Sequence, residues 1–119
     1  MQYMCLIYTP VDAPELSEKE SNALFAEYGA FTAEARAAGK MVAGDPLQPP
    51  SDATTVRVRN GKRTVTDGPF GETKEWLGGF YTFECATLDE ALDWAARIPG
   101  AKHGSIEVRP VMQIPSEVI

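Results

Sequence analysis

An α+β fold, with an antiparallel sheet carrying two helices on one face, is predicted by three features of the sequence. Two helical-period runs each open on a capping signature, Ser17 with Glu20 and Thr87 with Glu90. Several short runs alternate apolar and polar residues in strand fashion. Asn60-Gly61 sits between two such runs, the preferred pair for a two-residue hairpin turn.

Taken in order, "QYMCLIY" is the first strand. Both of its faces are largely apolar, Met4, Leu6 and Tyr8 on one and Tyr3, Cys5 and Ile7 on the other, which suits a central strand. "TPVDAPEL" is a proline loop. A long helix follows over residues 17–38, with Leu24, Tyr28, Phe31 and Ala35 at helical spacing and Gly39 where a C-terminal cap belongs. "KMVAGDPLQPP" starts as a strand and ends as a proline loop. "TTVRVRNGKRTVT" is the hairpin: Val56 faces Val65 and Val58 faces Arg63, while Arg57, Arg59, Lys62 and Thr64 point the other way.

"GGFYTFECA" is the next strand. A short helix carries Leu88, Ala91, Leu92, Ala95 and Ile98 and stops at Pro99-Gly100. "SIEVRPVMQI" is the last strand, and Pro110 within it points to an edge position or a bulge. The order β-α-β-β-β-α-β reduces, without the hairpin, to the ferredoxin-like split βαβ plan.

Two helices cover one face of such a sheet. Alternation puts Tyr81, Phe83, Cys85, Ile106 and Val108 toward them. Phe80, Thr82, Glu84, Glu107, Arg109 and Val111 fall on the other face. That face mixes apolar groups with both charge signs, which suits a partly buried interface containing a polar pocket.

Bulk properties narrow the function. The 119 residues fit a single domain spanning 1–119, and a chain of this size buries roughly two-thirds of its extended surface. A net charge of −6 argues against nucleic acid as partner. No apolar stretch approaches the ~20 residues that span a membrane. The start has neither the basic region nor the cleavage site of a leader, so a reducing, cytoplasmic location is expected. Cys5 and Cys85, far apart in apolar contexts, read as core thiols, and together with the one histidine, His103, they cannot build a closed metal site. No metal or cofactor is expected.

The segment "DGPFGETKE" is denser in polar groups than a strand connection needs. Asp67-Gly68-Pro69 makes a turn, and a carboxylate beside a lysine suits acid–base work when burial tunes it. Asp67 is the candidate proton-transfer group. Arg109 is the candidate anion holder, with Phe70, Glu72, Lys74 and Tyr8 lining a substrate pocket and Glu75 presented with the loop at its mouth. Asp67 is expected to fold toward Arg109. Arg57, Arg59 and Lys62 read as a solvated hairpin face, His103 as an incidental loop residue, and Gly78-Gly79 as a bulge or a close backbone approach.

"VTDGPFGETKEWLGGFY" resembles the signature of the DGPF-motif branch of the YCII-related family. The resemblance extends over nearly the whole chain, through "MQYMCLIY", "EARAAGKMVAGDPLQPP", "ATTVRVRNGKRTVTDGPF" and "TLDEALDWAARIPGAKHGSIEVRPVM". It implies a ferredoxin-like chain that pairs as a homodimer through the open sheet face into a dimeric α+β barrel. In classical members of the family a helix His and an Asp near the last strand are proposed as a dyad. Here those positions fall at Tyr28 and Ile98, so the dyad is not carried over.

Two classes of function follow. One is an enzyme doing acid–base chemistry on a small anionic substrate. The other is a non-catalytic accessory or sensor protein linked to sigma-factor regulation, since some DGPF-type proteins resemble partners of extracytoplasmic-function sigma factors.

Overall fold

The computed structural model describes residues 1–69, 71 and 73–118. Its strands are β1 (Gln2–Pro10), β2 (Met41–Pro46), β3 (Thr54–Arg59), β4 (Lys62–Asp67), β5 (Glu75–Glu84) and β6 (Ser105–Pro110). The helices are α1 (Glu18–Ala37) and α2 (Leu88–Ala96). Phe70 and Glu72, both expected at the pocket, lie outside the described residues.

Four strands form one antiparallel sheet in the order β2-β5-β1-β6. β1 is central, as its two apolar faces require, and β6 is an edge, as Pro110 suggests. Helix α1 starts at Ser17, whose hydroxyl accepts the Glu20 N–H while the Glu20 carboxylate accepts the Ser17 N–H.

Both helices pack on the face carrying Tyr3, Cys5, Ile7, Tyr81 and Phe83, to which they contribute Phe31, Ala35, Ala91 and Ala95. Phe31 meets Tyr81 edge-on, with ring centroids 5.3 Å apart, and Tyr81 stacks on Phe83 at 5.6 Å. The Tyr81 hydroxyl is hydrogen-bonded to Thr32 Oγ1 at 2.8 Å, so the aromatic layer carries no orphaned polar tip. Cys5 and Cys85 are free and buried. Burial, and then the neighbouring Cys85, push the Cys5 thiol up to about 11.

Several expectations need correction. The sheet is not closed and forms no barrel: β2 and β6 lie at opposite edges, each with a neighbour on one side only. The hairpin β3–β4 does not extend it either, because it forms a separate two-stranded sheet. This single chain therefore shows an open sheet, and the expected dimeric α+β barrel is not what it forms.

The second capping box is half made. Thr87 accepts the Glu90 N–H at 3.2 Å, but the Glu90 carboxylate turns to Lys40, 2.6 Å away. In α2, Leu88 and Leu92 are exposed, and the core side is built by Ala91, Ala95, Trp94 and Ile98 instead. Strand β5 also begins at Glu75, three residues before the expected Gly78, because β1 runs on to Pro10 and pairs Thr9 with Trp76 and Pro10 with Glu75.

The hairpin matches its reading residue for residue. Val56 pairs with Val65, Val58 with Arg63, Arg57 with Thr64 and Arg59 with Lys62. Asn60 and Gly61 both take positive φ, 53° and 75°, as the tight turn demands. The arm is closed at its base by the Gly68 N–H on the Ala53 carbonyl at 2.7 Å and the Thr55 hydroxyl on the Gly68 carbonyl at 2.8 Å.

Candidate functional site

The extra length of β1 and β5 builds the site. Their register shifts between Ile7 and Tyr8: Ile7 faces Gly79 and Tyr8 faces Leu77, leaving Gly78 as the extra residue of a bulge. Gly79 lies so close to β2 that a Cβ there would stand 2.8 Å from the Asp45 carbonyl oxygen. Gly104 does the same on the other side, since its Cβ would stand 2.0 Å from the Tyr8 carbonyl oxygen. Tyr8 is thus fixed at a bulged end of the sheet, with backbone pressed against it.

Two adjoining depressions share Tyr8, Thr73 and Glu75. The larger has a volume of about 800 Å³ and runs from Tyr8 past Trp76 and Leu77 to Leu47 and the base of the hairpin at Ala53 and Pro69. Its wall is held by the Leu47 N–H on the Gly78 carbonyl and the Val11 N–H on the Lys74 carbonyl, both 2.9 Å. The smaller, about 610 Å³, is polar at its rim, where Lys74, Glu75, Ser105 and Glu107 converge around Tyr8. The Ser105 hydroxyl lies 3.4 Å from a Glu75 carboxylate oxygen.

On the open face the register aligns two rows across the sheet. Glu107, Leu6, Phe80 and Asp45 form one, and Arg109, Met4, Thr82 and Ala43 the next. Arg109 Nε donates to Glu107 Oε2 at 3.0 Å. That bond, and then the Glu107 charge, raise the Arg109 pKa further above its ordinary value.

The structure therefore brings together Tyr8 and Lys74, with Arg109 joined to their rim through Glu107. Asp67 is elsewhere. It is the exposed last residue of β4, opposite Thr54 in the hairpin sheet, and Arg109 meets Glu107 rather than Asp67. The link from Asp67 to the groove is by chain: Pro69 and Gly71 line it.

Sequence reasoning put Glu75 at the mouth of the pocket, as the last residue of the polar run, and missed Trp76 and Ser105. Their only signal was position, directly after the polar run or at a strand start. Glu107 stood on the same strand face as Arg109 by alternation, so that pair was visible in the period of two. His103 is exposed. Among the described residues, no group of three or more His, Cys, Asp or Glu could hold a metal ion, and no helix is long and apolar enough to cross a membrane.

Comparison with known proteins adds three findings. The chain is 40% identical over 114 residues to the uncharacterized protein R00369 of Rhizobium meliloti (strain 1021), covering 93% of this chain and 92% of that one. Its fold is similar to that of 5-chloro-2-hydroxyhydroquinone dehydrochlorinase (TftG) from Burkholderia phenoliruptrix AC1100, solved in complex with 2,5-dihydroxybenzoquinone. The TM-score is 0.56 with 16% identity, and 94% of each chain is covered. Residues 1–115 match the YCII-related domain, and the chain belongs to that family.

Proposed function

We propose that this protein, a single-domain member of the DGPF-motif branch, is a cytoplasmic enzyme doing acid–base chemistry on a small anionic aromatic. The observation that carries the reading is the junction at Tyr8, where an apolar groove with Trp76 opens into a polar rim with Lys74 and Glu75. An apolar cleft with a few convergent polar groups is the usual form of a small-molecule site. The fold shared with a dehydrochlorinase that binds a dihydroxybenzoquinone supports a ring-shaped ligand of this size.

In this reading the ring lies against Trp76 and Leu77. Lys74 and Arg109 draw its negative charge, and the Tyr8 hydroxyl bonds its oxygen substituents. Glu75, half-buried and lining both depressions, moves the proton. Asp67 keeps a place at the mouth, two residues before Pro69. The protein works as a homodimer associated through the open sheet face, where Leu6 and Phe80 lie between Glu107 and Asp45.

The second reading, a sensor without chemistry, draws on the mutual neutralisation of Arg109 and Glu107, which suits reversible capture of a ligand. A titration with hydroxybenzoates, followed by tryptophan emission, tests the site. Trp76 lines the groove while Trp94 packs on Phe31 and Phe83, so quenching reports the groove. Quenching that is lost in Tyr8→Phe and Lys74→Ala is expected. Quenching that survives both substitutions, or none across the series, overturns the site. Binding without conversion of any bound compound favours the sensor.

A further inference from the structure

We infer that the β3–β4 hairpin is an arm that lies on the open sheet face of a second copy of this chain. The inference rests on the self-association proposed above and adds the element that makes it.

The arm carries Val56, Val58 and Val65 on one side, exposed at 59, 61 and 57%. Among the described residues, its two strands form a sheet of their own, each with the other as its one strand neighbour. A lone two-stranded hairpin is at best marginally stable in water, so an arm this regular with a bare valine face needs cover.

Charge selects the occupant. Arm residues 54–67 hold Arg57, Arg59, Lys62 and Arg63 against one carboxylate, Asp67, a net of +3. The whole chain is −6, so the rest of it carries −9. A second copy therefore offers the arm an acidic body.

The open sheet face offers it a matching strip. Leu6 and Phe80 stand side by side at its centre, with Glu107 at one end of their row and Asp45 at the other. Valines beside Arg63 meet apolar residues whose row ends in Asp45 on one side and in the Glu107–Arg109 pair on the other. Because both copies are identical, each gives an arm and receives one, and a two-fold axis doubles every contact.

Sedimentation equilibrium on wild type and two variants tests this. Val56→Thr, Val58→Thr and Val65→Thr together disarm the hairpin while keeping β-branched residues in both strands. Phe80→Thr alters the receiving face. Each variant is expected to weaken the dimer by about 100-fold. Mixing the two is expected to recover dimer in part, because one intact arm then finds one intact face. Circular dichroism matching wild type checks that both variants fold.

A wild-type dimer that the arm variant leaves intact, or a mixture that recovers nothing, overturns the arm and leaves self-association standing. A monomeric wild type at micromolar concentration overturns both.

Discussion

Arg109 closes its guanidinium on Glu107, two residues earlier on the same edge strand, with Nε 3.0 Å from the carboxylate. The strand's period of two makes this possible, since residues i and i+2 share a face. Both side chains are more than a third exposed, so the pair adds little to stability. Its effect is to hold in reserve a cation beside the polar rim.

Replacing Glu107 by Gln releases that cation. Affinity for an anionic aromatic is expected to rise by about fivefold, the worth of one charge at roughly 4 Å in a wet site. The urea midpoint stays nearly where it was. Arg109→Met has the opposite effect on affinity. Tryptophan quenching on both variants checks the pair, and equal affinities in the two would remove Arg109 from the site.

Acid is expected to destabilise the protein through Glu90. Its hydrogen bond to Lys40, and then the Lys40 charge, hold its carboxyl below the ordinary 4.5, despite opposing desolvation. A depressed folded pKa means that the stabilisation is fully present above the unfolded value and is lost as pH falls through the folded one. Glu20, lowered by its bonds to Ser17, adds to the same acid-side loss. Urea midpoints followed downward from pH 4.5 should fall, and Glu90→Gln should flatten part of that slope. Lys40 is raised by the same pair, so its contribution is complete below 10.5 and fades only above it.

Gly104→Ala tests how the backbone builds the site. A Cβ there would stand 2.0 Å from the Tyr8 carbonyl, and a main-chain atom cannot rotate away. The expected cost is about 1–3 kcal/mol, read from the urea midpoint. Because Tyr8 must shift to relieve the clash, ligand quenching should weaken too. An unchanged midpoint would mean that the 103–105 turn is looser than its contacts indicate.

Much of this architecture was legible in the sequence because its signals are local. Ser17 and Glu20 fixed the start of α1 within one turn, and Asn60-Gly61 set a hairpin register that held for every pair. What failed depended on partners distant in sequence. The box at Thr87 lost its Glu90 to Lys40, fifty residues earlier in the chain. Leu88 and Leu92 fit helical spacing but face outward, because the small Ala91 and Ala95 let α2 lie close on the sheet. The barrel was implied by family resemblance, and nothing in the strand pattern could test closure. The groove was hidden because β1 and β5 pair three residues further than Gly78-Gly79 suggested, taking Glu75 and Trp76 out of the expected loop.

Asp67 and Glu75 are the two candidates for the proposed proton-transfer role, and a pair of isosteric substitutions separates them. Asp67 ends β4 in an exposed position, and the arm base beneath it is closed by bonds of Gly68, Ala53 and Thr55 that do not use its carboxylate. Asp67→Asn should therefore change stability by no more than about 0.5 kcal/mol, as for an ordinary surface site. Glu75 is half-buried, lines both depressions and sits within reach of the Ser105 hydroxyl. Glu75→Gln keeps that shape but can no longer take a proton. Turnover of any compound that the groove converts is expected to fall by about 100-fold or more, with affinity changed far less. If Asp67→Asn instead abolishes turnover while Glu75→Gln spares it, the chemistry belongs to the arm base, and Glu75 is a wall of the groove.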